Sequence, residues 1–562
     1  MKTLRSVILC LIVIFSSSSF AKAAPISQDW IPTLYVREGG TSVNCTSWTD
    51  ACELQTALSK NTTNLVLVAA GTYTPDKADP SNRAATFNLI SGVMIYGGFP
   101  ANGGTWEQRD WESNVTTLSG NIGDVDSIAD NSYHVVTTNG ANWTARLDGL
   151  TISGGNANGA EPHNFGGGMY NAGGNPTLSN VIFSRNAATR GGGIYNDGSS
   201  PKLSNVTFSG NTAVNGAGMY NNNTNNSSPS LSNVRFVENP AASTGGGMYN
   251  SNSDPTLTDV IFAGNSARDG GGMYNYNSNP PLSNVTFSGN VARGHGGGMY
   301  NDHSNPILTN VTLSENSAYI YVGAPAGETG WGGGMLNYMS SPTLTNVTFF
   351  GNSAEVFGGG MYNWVFASKP IVTNTIIWGN SPALQIYNDD GTPIITYSDI
   401  QGVVVHPGIG NINTDPLLVP LANNGGFTQT HALPLGSPAI DKGDPANCPT
   451  TDQRGYPRPI DGNGDGSAIC DMGAYEYESF TLTVTVMGNG SVAKNPDKAG
   501  YPFGEEVTLT ATANSDWTFS GWSGDATGTA NPLTMNIQGN TSITATFIKD
   551  NFKIHLPLIL KN

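Results

Sequence analysis

The sequence predicts an all-β protein, a right-handed parallel β-helix (solenoid) over about residues 85–415 followed by a small β-domain. Three observations predict it. The hexapeptide GGGMYN at 166–171 returns as GGGIYN, GAGMYN, GGGMYN, GGGMYN, GGGMYN, GGGMLN and GGGMYN, ending at 363. Its tyrosine positions are spaced 25, 25, 29, 25, 26, 36 and 26 residues apart, counting Leu336 as the seventh of the eight, and a fixed period of this size marks a solenoid. Between the hexapeptides runs a second phrase, PTLSNVIFSRNAA at 176–188, which recurs as PKLSNVTFSGNTA and later as PTLTNVTFFGNSA.

The period is too short for two packed helices, and Gly, Asn and Pro are poor in helices. Val, Thr, Phe and Ile favour strands. Val181 and Phe183 alternate with Ile182, a position later held by Thr207, Thr286 and Thr348. That alternation predicts a strand with one buried and one solvated face. Each repeat is then one coil of two or three short strands, about 4.8 Å from the next, and roughly 13 coils would make a rod about 60 Å long. A single coil cannot offset the entropy of ordering its residues, which is why many similar coils stack.

Within a coil, the glycines serve positions of positive φ or close approach. Met169, Met248, Met361 and their equivalents fill the interior, and Phe183, Phe208 and Phe287 stack. Asn171, Asn180 and Asn186 recur once per coil. Asn tolerates the left-handed conformation at corners and can form amide ladders along the rod. The residue beside an inward Met points outward, so Tyr170, Tyr195, Tyr220, Tyr249, Tyr274, Tyr300 and Tyr362 form a row on one face. Two readings of the row stand open. It binds sugar rings or a protein, or the rings stack on one another and cover a groove.

Ahead of the rod, MKTLRSVILCLIVIFSSSSFAKA has a basic start, an apolar stretch and a small-x-small end. Residues 1–23 are read as a secretory signal peptide. Residues 24–84 are read as an N-terminal cap. In it, TDACELQTAL (49–58) predicts a helix capped by Asp50 with Glu53 completing a capping box. Ala51, Leu54 and Leu58 would share its buried face. Outside the first residues no apolar run is long enough to span a bilayer, so no transmembrane segment is expected. The four remaining cysteines suggest disulfides in an exported protein, by proximity Cys45–Cys52 and Cys448–Cys470; four buried thiols are the alternative. The net charge of −17 argues against nucleic acid as a partner, because phosphate binding rests on basic patches.

GGGM and GGGI, with FSRN (183–186), FSGN, FVEN and FAGN, resemble the GGA[ILV] and FxxN tetrapeptides of chlamydial polymorphic outer-membrane proteins. That resemblance covers about 160–380 and implies a right-handed β-helical surface adhesin. Gly replaces the family's Ala, and no membrane barrel follows the repeats. Residues 416–478, with DPLLVPLANNGG and DQRGYPRPIDGNGDGSAICDMGAYEY, resemble the choice-of-anchor Q segment of secreted bacterial β-helix proteins, to which no catalysis is assigned. Residues 479–548, with FSGWSG at 519–524, resemble the divergent internalin-B-type repeat, a spacer or binding module; Trp517 and Trp522 are read as its core. Residues 549–562 form a tail.

DGNGDG (461–466) begins like a calcium loop. Asp461, Asn463 and Asp465 alternate before Gly466, but Met472 stands where a carboxylate is due and Asp471 falls one residue early. A calcium site from these four residues competes with a turn held by Asp and Asn side chains. Catalysis on a β-helix would need carboxylates or a cation site converging on one face. The candidates lie around the insertion at 319–330: Asp302, His303, Glu315 and Glu328, with Arg268, Asp269, Arg293 and His295 on nearby coils. None forms a recognisable set. The expected function is that of a secreted or cell-surface protein that binds a polysaccharide or a surface protein, or serves as a scaffold, through weak contacts repeated over many coils and without catalysis. The alternative is a carbohydrate-active β-helix enzyme acting on acidic polysaccharide, and a third reading is a structural stalk.

Overall fold

The computed structural model describes residues 32–60, 64–76, 79, 81–124, 126–222, 227–320, 330–463 and 465–550. The signal-peptide stretch, Glu328 and most of the tail lie outside the described residues. The chain is a parallel β-solenoid of about 12 turns over residues 33–389, followed by a small β-domain. Each regular coil contributes a strand to each of three walls. Coil 169–190, for instance, runs through Met169–Ala172, Thr177–Ser184 and Ala187–Arg190. The strands pair in parallel with the same strand of the next coil, Met169 opposite Ile194 and Phe183 opposite Phe208. We call the walls the tyrosine sheet, the long sheet and the short sheet, in that order.

The inward columns follow the repeat. Met169, Met248 and Met361 are fully buried, in one core with Leu178, Val181 and Phe183. Asn180 and its equivalents Asn205, Asn233, Asn284, Asn310 and Asn346 all have φ near +55°. This kink in mid-strand lets Leu178 and Val181, three residues apart, both face the core. Phe183 stacks on Phe208 at 5.1 Å, and Phe262 on Phe287 at 4.7 Å.

Two amide ladders lock the coils together. In the first, Asn171, Asn196, Asn221, Asn250, Asn275, Asn301, Asn337 and Asn363 each donate from Nδ2 to Oδ1 of the next, ending on Asn388, at 2.7–2.9 Å. The second runs from Asn186 through Asn211, Asn239, Asn265, Asn290, Asn316 and Asn352 to Asn380. The glycines earn their place in two ways. Gly245 has φ +64°, which an L side chain rarely adopts. A Cβ on Gly247 would sit 2.7 Å from both the Gly272 carbonyl oxygen and the Phe262 ring.

Three sequence expectations need correction. The long sheet begins at Thr33–Val36, which pairs with Asn64–Ala69, so residues 24–84 are coil as well as cap and the rod does not start at 85. The cap helix spans only Leu54–Leu58, and Asp50 does not cap it. Cys52 is bridged to Val36 as extended backbone and bonded to Cys45, which keeps the helix from starting earlier. Ser47 instead caps the short turn Trp48–Asp50. Ala51, Leu54 and Leu58 are buried as expected.

The third correction concerns the outer face of the long sheet. It is solvated at Ile182, which is 44% exposed, but Thr286, Thr312 and Thr348 are buried. Residues 416–478 lie across them. Gln453 Nε2 donates to Thr286 Oγ1 at 2.8 Å, and Thr312 Oγ1 donates to Gln453 Oε1 at 2.7 Å. Ala474 N–H donates to Thr348 Oγ1, Asn346 Nδ2 to the Asp471 carbonyl, and Phe427 covers the Arg235 guanidinium. The Cys448–Cys470 disulfide closes a loop within this covering segment.

Within the segment is a buried charge cluster. Arg454 pairs with Asp452 at 2.7 Å and Glu478 at 3.2 Å, and Arg458 pairs with Glu476 at 3.0 Å. Asp471 adds a fourth carboxylate against two guanidiniums, its oxygens accepting from the Asp441 and Tyr477 amides. Burial pushes Glu476 up to about 7 and raises Asp471 well above its usual range, and burial also lifts Asp399, on the last coil, to about 7. A carboxyl group raised in the folded state contributes stability below its unfolded pKa and loses it as pH rises through the folded value. Stability to urea is therefore expected to fall between pH 5 and pH 7.5, by on the order of 2 kcal/mol for each such group. A flat or rising urea midpoint over that range would contradict it.

The last domain has two three-stranded sheets. One holds Leu482–Met487, Trp517–Gly524 and Thr541–Lys549; the other holds Gly490–Asn495, Glu506–Ala513 and Leu533–Asn536. Trp522 is buried with Val507, Leu509 and Ile543, its Nε1 donating to the Ala530 carbonyl, and Trp517 packs against that core. Among the described residues no helix is long and apolar enough to cross a membrane.

Candidate functional site

The tyrosine row stands on the outer side of its sheet, because each tyrosine follows an inward methionine in an extended strand. Its rings are stacked. Centroids lie 5.8 Å apart for Tyr170–Tyr195, 5.3 Å for Tyr195–Tyr220, 4.7 Å for Tyr220–Tyr249, 5.2 Å for Tyr249–Tyr274 and 4.8 Å for Tyr274–Tyr300, with interplanar angles of 4–23°. Tyr195, Tyr220, Tyr300 and Tyr362 are buried, and Tyr170, Tyr249 and Tyr274 are half-buried. The ring faces therefore cover one another, and the row offers edges and hydroxyls outward. Burial raises the hydroxyl pKa along the row, to about 12 at Tyr362, so the tyrosines stay neutral at working pH.

The row breaks at Leu336. There Trp331, from the position before the glycine block, stacks on Tyr362 at 5.0 Å and on His295 at 4.9 Å. Tyr387 extends the row beyond Tyr362 at 5.1 Å. The sequence hides Tyr387 because its coil reads QIYN, with Gln and Ile in place of Gly and Met; the surviving Tyr-Asn pair at the right spacing is the signal that could have found it.

The position after each ladder Asn tells a different story. Along the rod it is Ala172, Asp197, Asn222, Ser251, Tyr276, Asp302, Tyr338 and Trp364, in register. The first four are small or polar. On the next four coils three are aromatic, and after Asn388 the position is Asp389. Trp364 packs on Tyr338 at 4.8 Å and meets Trp331 edge-on at 5.1 Å, and His303 lies edge-on to Tyr338 at 5.6 Å. Tyr276, Met339 and Phe366 on the same corner are 39%, 40% and 72% exposed.

The corner backbone also changes. Earlier coils place Gly173, Gly198, Asn252 and Asn277 there in the left-handed conformation, residues suited to it. The three coils that follow place His303, Met339 and Val365 there, with φ +49°, +48° and +68°. A β-branched residue in this region is strained, and such strain gathers at functional sites.

The ionisable candidates do not converge. Asp302 pairs with His303 at 2.6 Å and accepts from the Tyr274 hydroxyl at 3.1 Å. Glu315 sits at another corner, between Ile307–Ser314 and Ser317–Ala318. Arg268 pairs with Asp269, whose carboxylate also accepts the His295 amide. The calcium candidates separate too. Asp461 accepts from the Asp465 and Gly466 amides, Asn463 from Asp465, and Asp465 from Ser467, which makes a local turn. Asp471 lies instead in the buried cluster. No group of three or more metal-ligating side chains occurs among the described residues.

Residues 480–551 match the family model described as the divergent InlB B-repeat domain. No curated protein matches the chain. Among solved structures, the pectate lyase Pel9A is similar at 13% identity, covering 79% of this chain and 96% of its own, with a TM-score of 0.40. PfbA, a surface adhesin of Streptococcus pneumoniae, is similar at 12% identity, covering 72% of this chain and all of its own, with a TM-score of 0.28. Neither likeness bears on chemistry. What the chain itself presents is a parallel β-solenoid with additional aromatic side chains on the corner of neighbouring coils, followed by a region that matches the divergent InlB B-repeat domain.

Proposed function

We propose that this is an exported surface or extracellular protein whose solenoid binds a partner without cleaving it. One observation carries the reading: exposed Tyr276 and Phe366 and half-buried Tyr338 and Trp364 line one corner over neighbouring coils, while Asp302 is paired with His303, Arg268 with Asp269, and Glu315 stands at another corner. Two disulfides and a domain type named for a bacterial surface repeat support an extracellular setting. The binding surface is then a local site rather than an even repeat, because the tyrosine row spends its ring faces on itself.

Incubating the protein from residue 24 onward with a panel of neutral and acidic polysaccharides should yield no new reducing ends and no unsaturated products. Glu315→Gln, an exposed change at another corner, should leave saturable binding to cell-envelope material within about twofold, since single surface changes shift energies by about 0.5 kcal/mol. A sugar-cleaving activity that Asp302→Asn abolishes would replace this reading with the enzymatic one.

A further inference from the structure

The aromatic corner suggests the class of its ligand. We infer that Tyr276, Tyr338, Trp364 and Phe366, with His303 and Asp302 between them, bind a neutral oligosaccharide chain lying along the rod axis. The inference rests on the binding reading above and specifies its ligand.

Four properties of the strip support this class. The first is shape. Four successive coils give a strip about 14 Å long, bounded on its inner side by the buried asparagine ladder. A stable protein–protein interface covers roughly 800 Å² on each partner, which is more than one solenoid corner offers. A single extended polymer strand needs only a narrow track.

The second property is the surface chemistry. Aromatic side chains present apolar surface at low conformational cost, and Tyr and Trp add a polar edge. Sugar rings have one apolar face of C–H groups and hydroxyls around the rim. Asp302, held by the Tyr274 hydroxyl and His303, sits in register between Tyr276 and Tyr338. A fixed carboxylate between two rings accepts from sugar hydroxyls where the rings take the C–H face.

The third is charge. The strip carries no Lys or Arg; Lys369 lies past the buried Ser368 on the following turn. With Asp302 at its centre and a chain of net charge −17, the strip repels a polyanion. The fourth is the restriction of the aromatic set to these coils, together with His303, Met339 and Val365 at positive φ on three of their corners. The aromatics are absent where the same column reads Ala172, Asp197, Asn222 and Ser251, and Gly173, Gly198 and Asn252 at the corners there suit that conformation, so neither feature is required by the coil itself.

The test is titration calorimetry of the whole chain from residue 24 with hexasaccharides of glucose, mannose, xylose and N-acetylglucosamine, and with an oligogalacturonate as the acidic comparison. At least one neutral hexasaccharide should bind and the oligogalacturonate should not. Trp364→Ala should weaken binding at least tenfold, and Trp364→Phe should recover part of the loss. Phe366→Ser changes an exposed side chain and so reads the site without disturbing the core; it should weaken binding several-fold with an unchanged melting curve. Binding that is indifferent to both positions overturns the proposed site. If no neutral sugar binds, yet Phe366→Ser still reduces attachment to cell-envelope material, the ligand is not a neutral sugar while the binding reading stands. If attachment itself is absent, the binding reading falls with it.

Discussion

Replacing Asn265 by alanine is expected to lower the unfolding free energy by roughly 3–6 kcal/mol, at about 1–3 kcal/mol for each buried group left without its partner. Asn265 is fully buried. Its Oδ1 accepts from both the backbone N–H and the side-chain amide of Asn239, at 3.1 and 2.9 Å. Its Nδ2 donates to the Phe236 carbonyl and to Asn290 Oδ1, both at 2.9 Å. One truncation therefore affects three coils. Asn222→Ala, which removes a half-buried donor to Asp197, should cost within about 0.5 kcal/mol. Because a solenoid can open coil by coil, hydrogen exchange should be read beside urea unfolding. Protection should fall first in Ser230–Val237 and Thr256–Ala263. A loss below about 1 kcal/mol at Asn265 would mean that the ladder is incidental to stability.

Arg454→Met should release the covering segment. The guanidinium is fully buried, pairs with Asp452 and Glu478, donates to the Glu476 carbonyl, and lies 3.7 Å from the centre of the Tyr475 ring. Removing it leaves carboxylates underground with only Arg458 to balance them. Breaking one side of a buried ion pair typically costs about 3–5 kcal/mol, because the remaining charge is uncompensated. The expected sign is early proteolytic cutting within 416–478 while the inner coils stay protected. Neutralising the partners as well, with Asp452→Asn and Glu478→Gln, should restore much of the loss, since the three groups act as a unit. If the single variant resists protease like the parent, the cluster does not hold the segment down.

The sequence made some parts of the molecule legible and hid others for physical reasons. The Met, Phe and Asn columns could be read because each coil meets the same neighbours and so repeats the same residues. The first coils could not, since Thr33–Val36 and Asn64–Ala69 carry no hexapeptide and are recognised as coils only by their pairing. The cover over Thr286, Thr312 and Thr348 was invisible because the contacts come from residues more than 120 positions away, and an outward Thr looks the same whether water or protein lies above it. The tyrosine row was found, but whether its rings faced a ligand or each other depends on side-chain angles that spacing does not determine. The aromatic corner is hidden in the sequence because its column varies from coil to coil, and a varying position has the pattern of a solvated one.

That column has a practical consequence. It lies outside both amide ladders, the methionine core and the phenylalanine stack, so its residues can change without altering how one coil sits on the next. The rod behaves like a rack with interchangeable fittings, in which fixed rails carry the load and a free slot repeats once per turn. Asp197, Asn222 and Ser251 occupy that slot on the first coils. A second recognition track could be written there with a few substitutions, and a chain with more turns would gain more slots without any new fold.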